Sequence, residues 1–194
     1  MTAVLPGSAI SMADRADRVA AVTAAHARRA DQEAVFPVEA LDAMRETGLL
    51  GLLIPAEYGG LGGSLDDLLT VSIRLGREDM STAMIFAMHC QQVAALVEHA
   101  QGRLRRELLP VVAEGAYLAS VTTEAGTGGH LLTSESRSQE RGDVVEFDRF
   151  APIVTGGAHA DGFLITMRSP QSESVSLVYA ARDQLTLSLI HISE

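Results

Sequence analysis

The chain has no lysine and no tryptophan, and all fifteen of its basic residues are arginine. The missing lysine excludes Schiff-base chemistry. Cations are also scarce as a class: the formal net charge is −10, and no basic patch offers contacts to phosphates, so nucleic acid is not an expected partner. There is one cysteine, Cys90, so no internal disulfide can form, and a cytoplasmic location fits. Cys90 lies in an apolar run without a readable His/Asn partner pattern, and reads as a small buried hydrophobe rather than a nucleophile. No basic start followed by an apolar core marks a leader peptide. The longest apolar stretch, Met84 to Val97, is interrupted by His89, Gln91 and Gln92, and on this reading is too short and polar to cross a membrane. What is present, 47% hydrophobic against 21% charged residues over 194 positions, suffices for one large domain or two small ones.

The periodicity divides the chain in two. Residues 11–115 read as helical. Ser11 to Asp14 resembles a capping box; Pro37 sits near the start of a second helix, and Gly48 closes it. Ser64, with Asp67 three residues on, opens a third helix whose apolar face is Leu65, Leu68, Leu69 and Ile73. A fourth, opened by Ser81, is apolar nearly all round and should be central; its methionines read as core. A fifth, Leu104 to Ala113, should be interrupted at Pro110. From Tyr117 the period shortens. Strands are expected at Leu118–Thr123, Thr133–Gln139, Val144–Phe150, Phe163–Arg168, Val175–Ala180 and Leu185–Leu189. Helices followed by strands imply an α+β protein of two adjoining domains, 1–115 helical and 116–194 a small antiparallel, barrel-like β-domain.

The stretch Ser120-Val121-Thr122-Thr123-Glu124-Ala125-Gly126-Thr127-Gly128-Gly129 carries the chemistry. An apolar strand opens into glycines flanked by threonine hydroxyls, a donor-rich concave surface suited to an electron-rich heterocycle or a phosphate. No Lys follows the glycines, so it is not a Walker loop, and no G-x-G-x-x-G opens a helix after it. A plain β-turn needing Gly at positive φ is the competing reading.

Three segments in order resemble the acyl-CoA dehydrogenase family. Gly48 to Ser64, "GLLGLLIPAEYGGLGGS", is similar to the turn ending the family's early helices. The 120–129 loop is similar to its "VTEPGAGSD" flavin loop, and Pro152 to Leu164, "PIVTGGAHADGFL", to its "WITNGGKADWFLV" strand and turn. The resemblance runs from about residue 14 to about residue 185. It implies an N-terminal helical domain and a middle β-domain, with a C-terminal bundle missing. The chain is then expected to be a truncated fragment, and the tail Ser188 to Glu194, which resembles a translated adapter read, to be non-native.

By the resemblance, the whole protein is an FAD-dependent oxidoreductase that desaturates an acyl thioester between its α and β carbons, the substrate carried on CoA or an acyl carrier. A carboxylate takes the α-proton, the β-hydrogen leaves as hydride to flavin N5, and an electron-transfer flavoprotein accepts the electrons. A homodimer or homotetramer is expected. The resemblance places Ser120, Val121, Thr122, Thr123, Gly128, Gly129, Ile153, Val154 and Thr155 beside the flavin, with the Thr155 hydroxyl near N5. Gly129 and His89 are its candidates for the acyl thioester. Glu124 is structural by the same comparison. His130 and His159 have no ligand partner at a usable spacing, so no metal site is expected. The catalytic base belongs to the missing half, and the fragment alone is expected to be inactive.

Departures from the family pattern fall at Ala125, where a proline is usual, at Gly129-His130 for Ser-Asp, and at Ile153 for an aromatic. They keep a flavin monooxygenase on the same scaffold, or a non-catalytic remnant, as alternatives.

Overall fold

The computed structural model describes residues 10–124, 126, 133–142, 144–169 and 174–187. Five helices come first: α1 (Met12–Glu33), α2 (Val38–Thr47), α3 (Leu65–Gly76), α4 (Met80–His99) and α5 (Gly102–Ala113). Five strands follow: β1 (Leu118–Val121), β2 (Gln139–Arg141), β3 (Val144–Glu146), β4 (Gly162–Arg168) and β5 (Val175–Ala181).

Helix ends follow local chemistry. The Ser11 hydroxyl accepts the Asp14 N–H at 3.2 Å. Ser64 and Asp67 form a reciprocal capping box, the Ser64 N–H donating to Asp67 at 2.8 Å. Gly48, at φ 73°, ends α2 in the left-handed region where glycine carries no Cβ penalty. Asp79, not Ser81, caps α4, accepting the Thr82 N–H at 2.6 Å. Pro110 does not interrupt α5, which runs through it to Ala113. Proline removes only the N–H that would bond to Arg106, an exposed residue whose carbonyl can turn to water.

Most of the apolar face expected of α3 turns outward: Leu65, Leu69 and Ile73 are 67%, 52% and 58% exposed. Its fourth member, Leu68, packs inward as expected, with a further stripe of Val71 and Leu75, toward α1 and α4. Helix α4 is central as expected, touching α3, α5 and β1. With 20 residues and mean hydropathy 1.3 it has the length and composition of a membrane span, which the sequence reading did not grant it; half of that stretch is buried inside the protein, the setting of a core helix. Cys90 is fully buried there.

The main sheet has strand order β1-β4-β5 and is mixed, not purely antiparallel. β1 runs parallel to β4, Leu118 opposite Gly162, because about forty residues intervene and bring the chain back to the same end. β5 pairs antiparallel with β4, and β2 with β3 form a separate hairpin. The expected strand at Thr133–Gln139 gives way to loop up to β2, and residues 185–187 are not strand; 188 and 189 lie outside the described residues, as does the tail to Glu194. β4 is buried on both faces: Phe163, Ile165 and Met167 join the core with α1 to α4, and Leu164 joins Val93, Leu96 and Leu109. Two apolar clusters thus each join helices to strands, and β1 contributes to both, Ala119 and Val121 to one and Leu118 to the other.

Candidate functional site

β1 is an edge strand, so its outward backbone groups need partners from elsewhere. At its start, the Leu118 N–H donates to His89 Nδ1 at 3.0 Å. That leaves the proton on Nε2, which donates to the Leu50 carbonyl at 2.8 Å. His89 is fully buried and stacks on Tyr117, ring centroids 5.6 Å apart. Burial drives its pKa down to about 4, so it is neutral near pH 7. Beside it, Asp161 accepts the Tyr117 N–H at 2.8 Å and Arg45 at 3.0 Å, and Arg45 also donates to the Gly115 carbonyl.

At its end, β1 delivers Thr122 and Thr123, both half-buried, and then Glu124, which is buried. The Glu124 carboxylate accepts the Ser136 hydroxyl at 2.6 Å, the Glu135 and Ser136 N–H groups at 2.8 and 2.9 Å, and an ion pair with Arg149 at 2.8 Å. Burial would raise its pKa, but the Ser136 hydroxyl, the two amides and the Arg149 charge outweigh it and hold it at about 2. Burial also lowers the Arg149 pKa, against which the Glu124 charge acts. Arg149 further donates to the Thr123 carbonyl at 3.2 Å, the Ser134 hydroxyl at 3.1 Å, the Thr166 hydroxyl at 3.3 Å and the Thr166 carbonyl. Only its Nε finds no partner among the described residues.

The segment 152–157 lies against this end. The Thr123 hydroxyl donates to the Ile153 carbonyl at 2.9 Å, which ties the two motifs together. The Tyr117 phenol donates to the Thr155 carbonyl at 3.1 Å; burial pushes its pKa up to about 12, so it stays a donor. Gly156 has φ 65°, and a Cβ there would meet the Tyr117 oxygen at 2.6 Å. Thr155 and Gly156 form one wall of a groove of about 410 Å³, whose other lining includes Phe36, Met80, Met84 and Ile85. Phe36 stacks on His159 with centroids 4.3 Å apart. Ile153 projects beside these residues, 69% exposed.

The structure thus brings Thr122, Thr123, Ile153, Val154 and Thr155 into one neighbourhood. Ser120 and Val121 lie buried in β1 behind it. His89 is apart, with both ring nitrogens engaged by backbone and none left for a ligand. Gly128 and Gly129 lie outside the described residues, as does His130. Glu124 is held by Arg149, the Ser136 hydroxyl and two backbone amides. Sequence reasoning missed Arg149 altogether. Its one available signal was an arginine set between Phe147 and Phe150, where apolar neighbours predict burial and a buried guanidinium needs a partner. It also missed Met80 and Met84 as groove residues, having assigned the helix methionines to the core. Among the described residues no group of three potential metal ligands converges.

Comparison with known proteins adds an independent line. The acyl-CoA dehydrogenase N-terminal domain profile matches residues 10–116. Cyclohex-1-ene-1-carbonyl-CoA dehydrogenase of Syntrophus aciditrophicus (strain SB) is 30% identical over 133 residues, 68% of this chain and 32% of that protein. Acryloyl-CoA reductase (NADH) of Anaerotignum propionicum is 35% identical over 144 residues, 72% of this chain and 36% of that protein. TdsC from Paenibacillus sp. A11-2, solved with FMN and indole, superposes with a TM-score of 0.78 at 24% identity, over 89% of this chain and 44% of that chain. The last likeness is one of fold. The chain spans about a third of the length of the curated relatives it matches.

Proposed function

The chain belongs to the acyl-CoA dehydrogenase family, and from this we infer that it supplies one wall of a flavin site and the adjoining groove of an oxidoreductase acting on acyl thioesters. The observation that carries the reading is the Thr123–Ile153 hydrogen bond, which joins the two motifs that resemble flavin-contacting segments. The residues present fit a flat heterocycle. Ile153 offers an exposed aliphatic surface, Thr123 and Thr155 stand on adjoining segments, and Gly156 lets the backbone turn without a side chain. Thr122, Thr123, Ile153, Val154 and Thr155 would hold the ring of FAD, and the glycines at 128 and 129 its phosphates or the thioester. When bound, the flavin supplies the hydride acceptor for α,β-desaturation.

The chain's own contribution is positional. Tyr117, by donating to the Thr155 carbonyl, fixes that threonine's backbone and leaves its hydroxyl for a ligand. Thr123, whose proton is committed to Ile153, presents lone pairs only. Met80, Met84, Ile85 and Phe36 give the groove an apolar lining that excludes water from an acyl chain and adapts to its shape. Among the described residues that line the groove there is no carboxylate and no imidazole. An electron-transfer flavoprotein as oxidant and a homodimer or homotetramer belong to the same proposal.

Ile153, where the family pattern has an aromatic, favours a second reading, a flavin monooxygenase on the same scaffold. TdsC, similar in fold, is described as a dibenzothiophene monooxygenase. Titrating this chain into FAD and into FMN, with fluorescence quenching as readout, tests the shared premise. Saturable quenching that weakens in T155V supports it; no response to either flavin overturns it. Protection by a saturated acyl-CoA, but not by an aromatic heterocycle, then selects the dehydrogenase.

A further inference from the structure

Arg149 makes more contacts than a counter-ion to Glu124 requires. The Nη1 that meets Glu124 also reaches the Ser134 hydroxyl and the Thr166 carbonyl, and Nη2, which the ion pair does not use, reaches the Thr123 carbonyl and the Thr166 hydroxyl. The group is planar with donors in a fixed fork, so several simultaneous acceptors fix its orientation, and it in turn fixes theirs. Thr166 belongs to β4, the central strand, and its hydroxyl also donates to the Val121 carbonyl at 3.4 Å. Ladder pairing between β1 and β4 ends at Val121 opposite Ile165. Beyond that point, among the described residues, Arg149 bridges Thr166 of β4 and the Thr123 carbonyl.

We propose that Arg149 is the positioning residue of the ligand-facing end of β1. It extends the sheet register past Val121, holds the Thr123 backbone against Thr166, and thereby aims the Thr123 hydroxyl at Ile153 and the flavin side. Its side chain, 4% exposed, keeps water from competing for those acceptors. The ligand in this proposal rests on the flavin reading above; the positioning does not. Two roles for the residue separate cleanly. A counter-ion becomes dispensable once the Glu124 charge is removed. A positioning fork does not, because the Thr123 carbonyl still loses its donor.

The test compares the 194-residue chain with R149M, R149K and the double variant E124Q/R149M. Amide hydrogen exchange is followed at residues 122–124 and, as an internal control, at 85–96 in α4. The expected result is at least tenfold faster exchange at 122–124 in the double variant, with α4 unchanged and R149K intermediate. Exchange at 122–124 within twofold of the parent in the double variant would reduce Arg149 to a counter-ion and overturn the proposal, as would an equal acceleration in α4, which marks a general loss of structure. FAD titration runs in parallel. If the parent binds, the double variant is expected to lose tenfold or more in affinity, and adding T123V should cost little further, because the arginine acts through that threonine; full additivity would count against the proposal. If the parent binds no flavin, the flavin reading falls, and the exchange comparison alone decides the role of Arg149.

Discussion

At its start β1 is held by a neutral ring, and at its end by a pair of ions. His89 closes the first with two hydrogen bonds to backbone, fully buried beside the Asp161–Arg45 pair. Arg149 and Glu124 close the second with a network of hydroxyls, amides and carbonyls. The difference follows from the surroundings. Near Leu118 the neighbours are α4 and a turn of leucines, and although the Asp161–Arg45 pair stands nearby, burial dominates and holds the ring neutral. Near Thr123 the chain leaves the ladder, several carbonyls need donors at once, and a five-donor cation meets them provided a carboxylate balances it. A strand can thus be anchored by desolvating a base or by pairing two ions, and the two anchors answer differently to substitution and to acid.

The harshest way to break the comparison is R149M, which strands the Glu124 carboxylate. A loss of roughly 3–5 kcal/mol is expected from removing one partner of a buried pair. A urea titration checks it, and an unchanged midpoint would mean that Glu124 finds water. H89L is next. It leaves the Leu118 N–H and the Leu50 carbonyl without their partner, for about 3 kcal/mol, whereas H89N, able to offer an acceptor and a donor, should recover part. Equal destabilisation by both variants would show that the hydrogen bonds do not matter at this end.

Acid sharpens the contrast. Because the folded His89 pKa is depressed to about 4 from 6.5, the unfolded chain takes up a proton there that the folded chain refuses. Its contribution is therefore whole above pH 6.5 and is lost as pH falls toward 4, on the order of 2 kcal/mol by about pH 5. Glu124, held at about 2 from 4.5, gives up its contribution only as pH falls below 4.5. Amide protection at Leu118 is expected to fall before protection at Ser136 in a pH series; the reverse order would contradict the assignment of the two anchors. The smallest effect is S64A, which removes the α3 cap for about 1 kcal/mol. Its helix packs on α1 and α4, so the change should lower the unfolding midpoint without altering the order in which the two ends loosen.

Much of this was legible before any coordinates. Ser64 with Asp67, and Gly48 after an amphipathic run, announce helix ends because capping depends on neighbours a few residues away. The two motifs at 120–129 and 152–164 pointed to one site, and Thr123 does meet Ile153. What failed to show depends on distant partners. On α3 two apolar stripes compete, and only the placement of α1 and α4 selects Val71 and Leu75 over Leu65 and Ile73. The parallel pairing of β1 with β4 is a fact of chain path, invisible to period-two alternation. Arg149 has no motif, since its meaning arises from carbonyls more than a dozen residues away in either direction.

Cys90 offers a use of its own. Its thiol is sealed in α4, and burial raises its pKa far from that of a free thiol, so it meets a reagent only when the helix opens. The single thiol is thus a covalent clock for breathing of the helical half. Timed alkylation read by intact mass counts those openings one molecule at a time, without a label, a tag or a second cysteine to confuse the tally.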